Sequence, residues 1–224
     1  MFKRFVTLTI AGVLAACSTQ DVPPATSTAP STTSVTDKWN ALELKAKSAL
    51  APKDAFGPSG PWKEDRPMTE RRGAAEVLRL CGPVQVEPGW AVSQGRLWVG
   101  ELVNVNQYVH ALSDVHARDL VEKIRSTART CPKHVPRDGK PERVVSPDAD
   151  IPAPAGLDDF YAYCETANDP EPGVHHCLAA LAHNDLLVTT SGWGYAEDFA
   201  TARASALNQL RQAVPVVAGA VLAV

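Results

Sequence analysis

Apolar and polar positions repeat with two different periods along this chain, and the switches between them mark its elements. Trp39, Leu42, Ala46 and Ala49 recur at helical spacing between Thr36 and Leu50, with Asp37 as a cap and Pro52 as a stop. Phe56 to Pro67 is rich in Gly and Pro and predicts a loop. Ala74, Val77, Leu78 and Cys81 predict one side of a second helix from Thr69 to Leu80, closed by Gly82-Pro83. Trp90 to Val92 and Arg96 to Val109 predict strands joined near Ser93-Gln94-Gly95, with Val99, Val103, Val105 and Val109 sharing a face. Ser113-Asp114 then offers an N-cap to an amphipathic helix whose stripe is Ala117, Leu120, Val121, Ile124 and Ala128.

The second half follows the same order. Pro132, Pro136, Pro141, Pro147, Pro152 and Pro154 make residues 132 to 156 an exposed connection. Phe160 to Cys164, Val174 to Ala182 and Leu186 to Ser191 predict strands, with His183-Asn184-Asp185 as a turn. Gly192-Trp193-Gly194 ends the last strand as a strand-to-helix turn, and a helix from Ala196 carries Phe199, Ala202, Ala206, Leu210 and Ala213. The run from Val214 to Val224, broken by Pro215 and Gly219, is the buried end of that helix. The fold class is therefore α+β: an antiparallel sheet covered by helices, expected on one face, in two pseudo-repeated halves of strand hairpin plus helix.

The N-terminus changes the setting. Lys3 and Arg4 precede an apolar run from Phe5 to Ala16, too short to span a bilayer, which takes about 20 residues. Leu14-Ala15-Ala16-Cys17 resembles the lipobox of bacterial lipoproteins. That resemblance implies cleavage before Cys17, diacylglyceryl transfer to its thiolate and a lipid-anchored product on the outer face of the cell membrane. Residues 1–16 are then a signal peptide, 17–37 a Ser/Thr/Pro tether and 38–224 a single domain. The net charge of -3 and the lack of a basic cluster exclude nucleic acid as an obvious partner.

Five cysteines less Cys17 leave Cys81, Cys131, Cys164 and Cys177, an even number that in an exported domain implies two disulfides. Three pairings exist; Cys81–Cys131 and Cys164–Cys177, each within one half, is the expected one. A four-cysteine zinc site would lack any C-x-x-C pair.

Catalytic signatures are missing: the chain has neither G-x-S-x-G nor H-E-x-x-H. His175 and His176, as neighbours on a strand, face opposite ways, which is poor for joint metal ligation. His183 falls in a turn, and Asp158-Asp159 reads as a polar strand entry. No cofactor or metal is expected. Of Trp39, Trp62, Trp90, Trp98 and Trp193, Trp98 reads as core and Trp62, in its Gly/Pro loop, as the best exposed contact.

The Thr/Pro/Ser tether, the Ala117–Cys131 helix-to-cysteine run, Phe160-Tyr161-Ala162-Tyr163-Cys164, His183-Asn184-Asp185 and Leu186 to Thr190, then a terminal helix, resemble a family. They are similar to the actinobacterial extracytoplasmic sensor-like domains found on mycobacterial receptor Ser/Thr kinases of the PknH type and on free lipoproteins. The resemblance covers roughly residues 76 to 214. It implies a mixed α/β sheet with two disulfides and a cleft, and a binding or sensing module that meets a small ligand or an envelope protein. An accessory lipoprotein of an envelope complex is the alternative, and an envelope hydrolase the third.

Overall fold

Cys177 to Ala182 and Leu186 to Val188 carry apolar side chains at consecutive positions rather than alternate ones, and strands of that kind must be covered on both faces. The computed structural model describes residues 35–56, 63–73, 76–85, 90–99, 103–136, 141–167 and 174–224. In chain order the elements are α1 (Val35–Ser48), β1 (Lys63–Gly73), β2 (Glu76–Arg79), β3 (Pro83–Gln85), β4 (Trp90–Val99), β5 (Val103–Ser113) and α2 (Ala117–Thr130), followed by β6 (Lys133–His134), β7 (Arg143–Ser146), β8 (Asp159–Ala167), β9 (Val174–His183), β10 (Leu186–Tyr195) and α3 (Phe199–Leu222). Among the described residues eight strands form one antiparallel sheet in the order β1-β4-β5-β10-β9-β8-β7-β6, and β2-β3 is a separate hairpin.

Parity sorts the core into two layers. Cys177, Ala179 and Leu181 of β9 pack with α1 (Leu42, Ala46) and α3 (Ala206, Leu210, Val214, Val217). Leu178, Ala180 and Ala182 point the other way, into the stripe Ala117, Leu120, Val121, Ile124 and Ala128 of α2. Helices thus cover both faces, not one as expected. The two halves keep their hairpin-plus-helix order, but α2 and α3 close opposite sides. On the α1/α3 face, Gln107 ties the end of α1 to the sheet: its Nε2 donates to Ala49 O (3.1 Å) and its Oε1 accepts from Ala51 N (2.9 Å).

Several expectations need correction. Thr69–Leu80 is not a helix but the end of β1 and all of β2. Pairing of β1 along β4 outweighs a helical pattern that is only a local preference. Cys81 (φ 56°) and Gly82 (φ 143°) then turn the chain into β3, with Leu80 N donating to Gly82 O. The loop expected to run to Pro67 ends earlier, since β1 starts at Lys63. Ser93-Gln94-Gly95 is not a turn: all three residues are buried in an unbroken β4, opposite His110, Val109 and Tyr108. The connection 132–156 contains β6 and β7, which extend the sheet beyond β8. At the start of α2 the N-cap position belongs to His116, which makes no side-chain cap, while Asp114 (φ 67°) pairs instead with Lys38. Helix α1 begins at Val35, inside the span assigned to the tether, with Asp37 in its first turn.

The cysteines pair as Cys81–Cys131 and Cys164–Cys177. The first joins the β2-β3 turn to the end of α2, and the second joins facing positions of β8 and β9. In the chain-entropy account, loops of this size contribute about 4 and 3 kcal/mol respectively. Residues 1–34, with the signal peptide, Cys17 and nearly all of the tether, lie outside the described residues, as does Trp62. Among the described residues no helix is long and apolar enough to cross a membrane.

Gly192-Trp193-Gly194 does not end its strand, which continues to Tyr195. Its glycines let α3 approach: a Cβ on Gly194 would lie 1.9 Å from Ala202 O, and one on Gly192 would lie 2.9 Å from Ala206 O. Gly219, also in α3, has nothing within 4 Å of such a Cβ. Gly194→Ala is therefore expected to lower unfolding stability by about 3 kcal/mol. Gly219→Ala should raise it by about 0.5–1 kcal/mol through helix propensity. Denaturant titration of the two variants beside the parent checks both signs.

Candidate functional site

The α2-side face of the sheet changes character across its strands. Over β8 and β9 it is apolar, with Tyr161, Tyr163, Leu178, Ala180 and Ala182 against α2. After Leu187, the β10 residues on this face are Thr189, Ser191, Trp193 and Tyr195. Beside them lie Asn106, Tyr108 and His110 of β5 and Ser93 and Gly95 of β4. The opposite face of the same three strands holds Val92, Val105, Val109, Leu186 and Val188. Leu97 of β4 also stands on this face, opposite Asn106, and Ser93, His110, Thr189 and Ser191 are buried.

The polar side chains of this strip are paired across strands. Ser93 Oγ and His110 Nδ1 are 2.7 Å apart, and Ser191 Oγ donates to Asn106 Oδ1 at 2.6 Å. The rings of Tyr108 and His110 lie side by side, with centroids 6.4 Å apart and 11° between their planes.

At one end of the strip four strands converge on a buried carboxylate. Glu165 of β8 accepts from His134 Nε2 of β6 (3.0 Å) and from Arg143 Nη1 of β7 (2.8 Å). His176 Nδ1 of β9 is 3.6 Å from the same carboxylate, beyond hydrogen-bonding range. The Trp193 indole from β10 stacks on His176 (centroids 4.1 Å apart, 24°), and the Arg143 guanidinium carbon is 5.3 Å from the indole centroid. Nδ1 of His134 and both ring nitrogens of His176 are buried without a hydrogen-bond partner.

The electrostatics follow from this packing. Burial works to raise the Glu165 carboxyl, but His134, His176 and Arg143 outweigh it and hold the group well below the usual carboxylate range. Burial lowers the His176 imidazole, and the nearby carboxylate offsets this only in part. Glu165 is therefore ionised against the Arg143 guanidinium, beside a His176 that burial keeps neutral at neutral pH.

His175, one residue away, belongs to the other face as strand parity predicts. Thr166 Oγ1 lies 3.0 Å from its Nδ1, and the Phe199 ring meets it edge-on at 5.3 Å. That contact leaves Phe199 half exposed, off the buried stripe expected of it. Burial, then the positive fields of Arg203 and His176, lower the His175 pKa to about 4. Cys164, His175 and Cys177 place donor atoms within 4.8 Å of one another, but both sulfurs are committed to the disulfide. His183 closes β9 and is not part of the cluster. Asp158 accepts from Asn184 N and Asp159 from Arg125, so both acids fix local structure. Trp98 is buried, donating to Lys53 O. Trp39 packs at the edge of the core, and the Trp90 side chain lies outside the described residues.

Glu165, His134, Arg143 and the stacking of Trp193 were not legible in the sequence. The one signal was a lone carboxylate two positions beyond the aromatic run Phe160–Tyr163, inside a strand. Its partners are 31, 22 and 11 residues away, and sheet order alone brings them together.

No protein-family model matches the chain, and no curated protein sequence matches it. Its structure is similar to the extracellular domain of PknH from Mycobacterium tuberculosis, with a TM-score of 0.52 and 16% identity over 81% of this chain and 94% of that one. The chain therefore has the fold of that domain.

Removing the charge at Glu165 leaves Arg143 unmatched. Glu165→Gln is expected to cost roughly 3 kcal/mol in denaturant unfolding. His175 imposes a pH dependence of its own. Its folded pKa of about 4 lies below the ordinary 6.5, so the unfolded chain binds the extra proton first. Its contribution is complete above pH 6.5 and is lost as pH falls towards 4, by about 3 kcal/mol in all. Melting curves from pH 7 to pH 4 should show this loss in the parent and a flatter dependence in His175→Gln.

Proposed function

We propose that this chain is a lipoprotein of the outer face of the cell membrane whose domain is a non-catalytic ligand-binding or sensing module. The polar strip that adjoins the apolar α2-covered part of the same sheet face is the observation that carries the reading. Orienting hydrogen bonds, aromatic rings and a fixed ion pair collected at the edge of a helical cover are the makings of a binding cleft. Three further observations support it: the run Leu14-Ala15-Ala16-Cys17, which resembles a lipobox, the two disulfides, which suit an oxidising compartment, and a fold held in common with an extracellular domain.

The chemistry of the cluster argues against a hydrolase. A general acid or base works with a pKa near the operating pH and a site open to the substrate. Glu165 is held far below that range, both its oxygens are engaged, and burial pushes His176 down as well.

Two measurements test the reading. Membrane-extracted protein should carry diacylglyceryl on Cys17 by intact mass, and its other four cysteines should alkylate only after reduction. An unmodified N-terminus with four free thiols overturns the lipoprotein assignment. Separately, low-molecular-mass envelope fractions should shift the NMR signals of Asn106 and the Trp193 indole reversibly, with no change in ligand mass. Turnover of the ligand, or shifts confined to other surfaces, overturns the non-catalytic cleft.

A further inference from the structure

We infer that the Cys81–Cys131 bridge is a thiol–disulfide exchange site whose co-substrate is a dithiol, and that its opening releases the β2-β3 hairpin from α2. The two bridges of this domain stand in opposite surroundings. Cys164 and Cys177 are 2% and 0% exposed, face each other across β8 and β9 and lie in the core beneath α1 and α3. A reagent reaches those sulfurs only when the sheet itself opens. Cys81 is exposed in the turn between β2 and β3, and Cys131 is half-buried just past the end of α2. Exchange requires a thiolate to touch a sulfur, so access separates the two bridges.

The backbone supplies a second argument. Cys81 has a φ of 56°, in the left-handed region that a residue with a side chain rarely adopts. The turn that keeps it there is closed by Leu80 N donating to Gly82 O and by the bridge itself. A conformation imposed by its surroundings relaxes when one of them is removed.

The third argument is what the bridge fastens. Among the described residues β2 and β3 pair with each other and take no part in the eight-stranded sheet. Val77, Leu80 and Val84 are buried in the cluster that holds Leu120, Val121 and Ile124 of α2. Cys81 ties the hairpin to the end of α2, whereas Gln85 meets His116, Asp119 and Lys123, from the start of α2, around a cleft of about 320 Å³. The hairpin thus lies along α2 with one end latched and the other beside a cleft. Opening the latch uncovers apolar surface of α2 and leaves every ladder of the main sheet in place.

The exchange balances without a further reagent. A thiolate of the dithiol attacks one sulfur of the bridge, the S–S bond breaks, and the other cysteine leaves as a thiolate that takes up a proton. The second thiolate of the dithiol then displaces the first cysteine from the mixed disulfide. Two electrons and two protons pass to Cys81 and Cys131, and the dithiol becomes a disulfide.

The test uses the mature chain from residue 17, carrying Cys17→Ser so that its thiol takes no part. Dithiothreitol is added under native conditions, and thiols are trapped by alkylation and assigned by peptide mass. Cys81 and Cys131 are expected to open about tenfold faster, or more, than Cys164 and Cys177. Amide exchange over residues 76–85 should rise about tenfold on opening, with β8 and β9 unchanged. The double variant Cys81→Ser, Cys131→Ser should melt cooperatively and show the hairpin exchange of the opened parent. Equal rates at the two bridges, or earlier opening of Cys164–Cys177, overturn the exchange site. An opened bridge with unchanged hairpin exchange overturns the latch, as does loss of the whole fold when Cys81–Cys131 opens in the parent.

Discussion

Strands β9 and β10 lie between two helical layers, and most of this molecule follows from the need to satisfy both of their faces at once. On the α1/α3 side the demand is met by close approach. Gly192 and Gly194 bring the sheet backbone up to the backbone of α3 at Ala202 and Ala206, so the helix rests on the strand with no side chain between them. On the other side α2 supplies Leu120, Val121 and Ile124, but it reaches over only part of the sheet. Beyond that cover the face carries buried polar side chains, and Ser93 with His110 and Ser191 with Asn106 are paired across β4, β5 and β10. Close helix approach on one face and polar pairing on the other are thus two answers to one packing problem.

Much of this order could be read from the residues. The stripe of α2, the run from Phe160 to Ser191, the terminal helix and the cysteine pairs all rest on local periodicity or on count, and the structure keeps them. Parity along a strand also placed His175 and His176 on opposite faces. What escaped were features decided by partners remote in sequence. Residues 69 to 80 have helical spacing, yet β4 recruits them as strand. Ser93-Gln94-Gly95 has turn composition, but its polar side chains serve the strip on one face and the core edge on the other. Gly192-Trp193-Gly194 resembles a break because its glycines answer to a helix that arrives later in the chain.

The site was the least legible part for the same reason. Its carboxylate comes from β8, its bases from β6, β7 and β9 and its indole from β10. None of these lies in a motif. Each is an ordinary polar residue until the strand order sets it beside the others. The burial of Glu165 separates this cluster from a solvated surface ion pair: a carboxylate taken out of water needs several partners at once, and that requirement fixes β6 and β7 to the sheet as firmly as their few backbone bonds do.

The seam between the halves carries a kinetic consequence. β5 and β10 meet from Ala111 opposite Leu186 to Val103 opposite Gly194, so their pairing joins stretches separated by the whole of α2 and four strands. The hairpins β4–β5 and β9–β10 need close only short loops. The seam must close a long one, and closure of that kind slows folding. Until it forms, both β5 and β10 are open edges able to pair with other chains. For a newly made chain this interval is the time of greatest exposure to aggregation, and the Cys164–Cys177 bridge, which spans a short stretch, can hold one half together while the other docks.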